Sequence, residues 1–151
     1  MTDYATLTRQ AEALLEAEPW AIAAFSNLSA LLMQTMPDLN WAGFYLVRHG
    51  GLTVGPFQGK PACIHIPFGK GVCGTAAAED RTQLVPDVHQ FPGHIACDDA
   101  SASEMVIPVH RDGQIAAVLD LDSPLPNRFD EADRLGLETL IRRIEKRLEW
   151  A

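Results

Sequence analysis

Residues 105–121 read MVIPVHRDGQIAAVLDL, two apolar runs parted by Asp112-Gly113. Asp-Gly between apolar runs favours a type I′ turn, so the stretch predicts an antiparallel hairpin. Alternate residues of a strand face opposite ways, so Val118, Asp120 and Asp122 share one face while Leu119 and Leu121 share the other. A two-residue turn sets Met105 opposite Asp120 and Glu104 opposite Leu121. Opposed residues share a face, so Glu104 is expected to point away from Asp120 and Asp122. Pro108 removes one ladder hydrogen bond, which leaves room for a bulge or distortion. Carboxylates at the end of an apolar strand are costly unless they meet water or a ligand. The alternative is a strand that simply runs out into solvent at Asp120.

Outward from the hairpin, helices are predicted at both ends. Leu7, Ala11, Leu14 and Leu15 repeat at helical spacing, and Pro19 opens a second helix with Phe25, Leu28, Leu31 and Leu32 on one face. Pro37 stops it. Asp130 caps a last helix striped by Leu137, Ile141, Ile144 and Leu148. Between them, NWAGFYLVRHGGLTV reads as two strands around Gly50-Gly51. ACIHI, residues 62–66, reads as a short strand with Cys63 and His65 on one face and Ile64 and Ile66 on the other. GKGVCGTAAAED reads as a glycine turn entering a short helix, and QLVPDV as another extended piece. Terminal helices around a run of antiparallel strands predict an α+β fold: a central antiparallel sheet, helices packed on one face, and a ligand pocket under loops on the other. Residues 86–104 form the longest irregular stretch, and a long loop in a compact domain is usually functional.

The chain has 151 residues, 47% hydrophobic and 21% charged, which predicts one globular domain over 1–151. A net charge of −8 with no basic cluster argues against nucleic acid and against an anionic membrane surface. No apolar run approaches the roughly 20 residues that span a bilayer. The N-terminus MTDYATLTRQ lacks a signal-peptide core, and the expected compartment is the cytoplasm. Three cysteines are an odd count there, which favours catalytic, redox or metal use over a disulfide framework.

Each thiol has two readings. Cys97 lies in GHIACDDASASE, a polar loop, where an exposed reactive thiol is expected. Asp98 and Asp99 follow it and raise a thiol pKa, so either their side chains point away or an offset comes from His94, from loop N–H groups or from the ammonium of a bound substrate. Cys63 is either a small packed hydrophobe or a partner for that second thiol. Cys73 stands at a helix start whose N–H groups favour an anion and lower a thiol pKa, or hold a substrate carboxylate. The plainer reading buries it under small neighbours. Cys63, His65, Cys73, His89, His94 and Cys97 offer zinc donors in principle, but no CxxC or HxxxH spacing is present, so no metal site is assigned. A Cys-His hydrolase with His89 or His94 as base has no local signature.

NWAGFYL, GPFQGKPACIHIPFGKGVCGTAA, PDVHQFPGHIACDDASASEMVIPV and AAVLDLDSP together resemble the free methionine-R-sulfoxide reductases, enzymes with a GAF fold. The resemblance runs from about Asn40 to Phe129. It implies Cys97 as nucleophile and Cys63 as resolving thiol, with Glu104 and Asp122 in catalysis. It implies Trp41, Tyr45, Cys73 and Asp120 around the substrate. It also implies free methionine-(R)-sulfoxide as substrate, thioredoxin as reductant, no metal or organic cofactor, and a homodimer. The rival expectation is a GAF module that binds a small molecule or senses redox state without turnover.

Overall fold

The computed structural model describes residues 1–94 and 100–151. Helices α1 (Tyr4–Ala17) and α2 (Ala21–Thr35) lead into strands β1 (Trp41–Arg48), β2 (Gly51–Gln58) and β3 (His65–Pro67). Helix α3 (Gly71–Glu79), β4 (Gln83–Val85) and a 3-10 turn at Val88–Gln90 follow, then β5 (Ser103–Arg111), β6 (Gln114–Ser123) and α4 (Glu131–Glu145). The strands form one antiparallel sheet in the order β3-β2-β1-β6-β5-β4. The expected α+β architecture is present.

Alternation along the strands builds two cores. On one face, Phe44, Ile107, Leu119 and Leu121 meet the stripes of α1, α2 and α4. Phe25 of α2 stacks on Phe44 of β1 at 4.0 Å between ring centres. On the other face, Trp41, Tyr45, Val106 and Val118 pack under α3 with Ile66, Cys73 and Ala76. Burial of this apolar area is the main stabilising term. Asp130 caps α4 with a reciprocal capping box to Asp133, so the N-cap read from sequence is the observed one. Among the described residues, no helix is long and apolar enough to cross a membrane.

Three expectations are corrected. The first hairpin turns at His49-Gly50, both with positive φ, because Arg48 pairs with Gly51. The strand expected over 62–66 covers only His65–Pro67. Ile66 is buried in the second core while Ile64 is 62% exposed, so the two isoleucines do not share a buried face.

The third correction decides the site. The 112–113 turn has positive φ at both residues, as a type I′ turn needs. Beyond it, Arg111 pairs with Gln114 and His110 with Ile115, but Val109 pairs with Ala117. Ala116 is the extra residue of a β-bulge. That slip changes the partner of every residue beyond it, so Glu104 stands opposite Asp122 and Met105 opposite Leu121. Glu104 therefore shares the face of Asp120 and Asp122, contrary to the regular two-residue count.

Candidate active site

The bulge gives the sheet a row of three across β1, β6 and β5: Trp41 opposite Asp122, and Asp122 opposite Glu104. The next row is Gly43, Asp120 and Val106. Gly43 contributes no side chain, so Asp120 is not crowded from the β1 side. Tyr45, four residues along β1 from Trp41, faces the same way. Trp41, Tyr45, Glu104, Asp120 and Asp122 form the floor of a cleft of about 540 Å³ of atom-free space, its open mouth included. The start of α3 and the loop before β3 supply the walls, with Cys73, Lys70, Ala62, His94 and Ser101 among the lining residues.

Aromatic packing sets the wall near β1. Trp41 stacks on Phe57 at 5.0 Å and on Tyr45 at 5.8 Å. Its Nε1–H donates to the Lys60 carbonyl at 3.0 Å, which ties the wall to the loop that carries Cys63. Gly59 permits this closeness. Its φ of +136° suits glycine, and a Cβ there would lie 2.5 Å from Trp41 Cδ1.

The acids are buried: Glu104 is 7% exposed, Asp120 5% and Asp122 9%. Burial pushes the Glu104 carboxyl well above the usual range, and the Asp120 charge adds to the effect. Burial does the same to Asp120, helped by the Asp122 charge. One oxygen of Asp120, Oδ1, is fully buried without a hydrogen-bond partner among the described residues. Burial, then Asp120, raises the Tyr45 hydroxyl pKa. The chemical result is a cleft in which Glu104 and Asp120 hold protons between aromatic and apolar walls, with Lys70 on its lining.

Cys73 projects from the first turn of α3 onto this cluster, with Sγ 3.9 Å from Glu104 Oε2. It is a free, buried thiol. The pKa-lowering effect expected from a helix start is outweighed. Burial and the Asp120, Glu104 and Asp122 charges push the thiol well up. Cys73 is therefore a neutral wall group in the resting site. The plainer reading of its sequence context is the one the fold adopts.

Cys63 is half-buried, precedes β3, and is disulfide-bonded. Cys97, Asp98 and Asp99 lie outside the described residues. Trp41, Tyr45, Cys73, Glu104, Asp120 and Asp122 all line the one cleft. Of the zinc donors named from sequence, Cys73 and His94 line the cleft, whereas His65 and His89 do not. Lys70, Ser101 and His94 belong to the lining, and the first two were not singled out from sequence. Ser101 accepts a hydrogen bond at 3.1 Å from Asn40 Nδ2, a contact across 61 residues that no local pattern announces. Burial and the nearby His89 lower the His94 pKa, which favours the neutral ring. Gly71 N–H donates to the Gly93 carbonyl at 3.1 Å, fixing the loop's approach to α3.

Comparison with known proteins places this geometry. The family model described as "GAF domain" matches residues 4–148. The "Free methionine-R-sulfoxide reductase" of Escherichia coli (strain K12) is 50% identical over 95% of this chain and 87% of that protein. A structure of "fRMsr of Staphylococcus aureus (reduced form)" superposes with a TM-score of 0.95 at 54% identity, covering 99% of this chain and 97% of that one. The free methionine-R-sulfoxide reductase of Neisseria meningitidis, solved in complex with its substrate, gives a TM-score of 0.91 at 42% identity, covering 95% and 87%. The chain belongs to the GAF-domain family and, within it, to the free methionine-R-sulfoxide reductases.

Proposed function

We propose that this protein reduces free L-methionine-(R)-sulfoxide to L-methionine by thiol chemistry. The observation that carries the reading is the row Trp41, Asp122, Glu104, with Asp120 and Tyr45 beside it, lining one buried cleft. A free amino acid brings an ammonium, and buried carboxylates pair well with it. Asp120 and Asp122 take that role. A residue within a polypeptide lacks this charge and is excluded. Trp41 and Tyr45 wall the sulfur methyl end, and Lys70 with the start of α3 faces the carboxylate.

The chemistry needs an acid, a nucleophile and a resolving thiol. Glu104, its pKa raised by burial, holds a proton at neutral pH and gives it to the sulfoxide oxygen. The Cys97 thiolate attacks the sulfur to form an S–S bond, the protonated oxygen passes from the methionine sulfur to the Cys97 sulfur as that bond breaks, and methionine leaves with Cys97 as a sulfenic acid. The Cys63 thiol then forms an S–S bond to Cys97 with loss of water. Cys63 is supported in this role because it is the disulfide-bonded cysteine while Cys73 keeps a free thiol. Thioredoxin, as dithiol reductant, reopens the bond. The working form we propose is one GAF domain over 1–151 acting as a cytoplasmic homodimer. Apolar Trp20 and Leu135, exposed on the outer helical layer, offer surfaces for that pairing.

The test is NADPH oxidation coupled through thioredoxin reductase and thioredoxin. Turnover is expected on the free R epimer and not on peptide-bound methionine sulfoxide. Saturable binding of the free sulfoxide without turnover would make the protein a sensing module instead.

A further inference from the structure

Cys73, Glu104 and Asp120 reach one point from α3, β5 and β6. One donor atom of each lies within 4.8 Å of the others, and Cys73 Sγ is 3.9 Å from Glu104 Oε2. All three side chains are buried. A tetrahedral zinc ion, with Zn–S of about 2.3 Å and Zn–O of about 2.1 Å, separates sulfur and oxygen ligands by about 3.6 Å. The donors thus close onto an ion with shifts of about 1 Å or less.

A second observation points to a ligand at the same place. Asp120 Oδ1 is buried with no partner among the described residues. A buried acceptor left without a donor is costly, and a cation relieves that cost.

We propose that the cluster is a site for one divalent transition-metal ion of the zinc class, held by Cys73 Sγ and by carboxylate oxygens of Glu104 and Asp120. Three protein ligands leave a fourth position for water. The thiolate selects zinc, cobalt or cadmium over magnesium or calcium, which prefer all-oxygen sites. No electron moves. The ion replaces the Cys73 proton and any proton held by the two carboxyls, and these leave to solvent. Affinity therefore rises with pH, about tenfold per unit for each proton released. The donors are also the inner wall of the cleft. On the reductase reading, ion and substrate exclude each other, and zinc is a competitive inhibitor.

The test uses the oxidised full chain, titrated with Co²⁺ in a non-chelating buffer. One equivalent should produce a thiolate-to-cobalt charge-transfer band, which added Zn²⁺ bleaches. Cys73→Ser should lose the band. Asp120→Asn, which keeps the sulfur, should keep the band with affinity lower by about tenfold or more. A missing band in the unsubstituted protein overturns the proposal, whether or not Cys73→Ser folds. So does a band that survives Cys73→Ser, or an Asp120→Asn affinity equal to that of the unsubstituted chain. The titration needs no substrate, so its outcome is independent of whether the chain turns over methionine-R-sulfoxide.

Discussion

Glu104 and Asp122 stand directly opposite each other in the β5–β6 ladder, one residue out of step with what the 112–113 turn alone dictates. The extra residue at Ala116 brings them together. Two buried carboxyls forced to share a face cannot both ionise cheaply, and Asp120 lies in the next row. Burial comes first in raising the Glu104 and Asp120 carboxyls, and the Asp120 and Asp122 charges respectively add to it.

The crowding has a sign for stability. Glu104 and Asp120 hold protons more tightly folded than unfolded. The folded state then binds more protons above about pH 4, the ordinary carboxylate range, so stability falls as pH rises toward the folded values. Asp120→Asn removes one such group. Its melting temperature in the substrate-free protein should exceed that of the parent at pH 8, and the gap should narrow toward pH 4. Each kcal/mol relieved is worth about 2–4 °C. A gap that does not change with pH would contradict the burial account.

His110 works in the opposite compartment of the fold. Its Nε2 lies 2.6 Å from Asp80 Oδ1 and its Nδ1 3.2 Å from Glu145 Oε2, linking the end of α3, β5 and the end of α4. Partial burial disfavours the imidazolium, but the two carboxylates outweigh it and the pKa is raised. The stabilisation is full below about pH 6.5, the unfolded value, and is lost as pH rises through the folded one. The difference in melting temperature between the parent and His110→Gln should be largest near pH 6 and smallest above pH 8.

Gly59→Ala tests the aromatic wall. A side chain at φ +136° is strained, and its Cβ would meet Trp41 Cδ1 and the Asn40 carbonyl. The variant should lose about 2 kcal/mol or more in urea unfolding. Because Trp41 must move, KM for the free sulfoxide should rise more than kcat falls. A stable variant with unchanged KM would remove Trp41 from substrate binding.

The two proposed redox cysteines should separate kinetically. Cys97→Ser should form no methionine even in a single turnover, because no nucleophile remains. Cys63→Ser should form one equivalent and then stall with thioredoxin, recovering with a small thiol. Unimpaired thioredoxin-driven turnover in Cys63→Ser would mean that another group resolves the sulfenic acid.

Much of this was legible in the sequence. The stripes of α1, α2 and α4, the Asp130 cap and the Asp112-Gly113 turn are local features, and local periodicity and turn chemistry report them directly. The split of Val118, Asp120 and Asp122 from Leu119 and Leu121 was legible for the same reason. What was not legible depends on distant chain. Pro108, which pairs with Val118 beside the bulge, allowed for a distortion but not its place at Ala116, and that place decides the face of Glu104. The helix start at Cys73 suggested an acidified thiol, but three carboxyls from β5 and β6 reverse the effect. The extended run at 62–66 contracts to His65–Pro67, whose residues pair one for one with β2, while Ile64 keeps a single hydrogen bond from Val54. Lys70 and Ser101 reach the cleft through the fold, with no spacing to mark them.

The most direct test of the account is a peptide mass map of the fully reduced protein after one equivalent of free methionine-R-sulfoxide. The account predicts one equivalent of methionine, one disulfide joining Cys63 to Cys97, and Cys73 still alkylatable after denaturation. Methionine formed with the disulfide on Cys73, or with no disulfide at all, would contradict it.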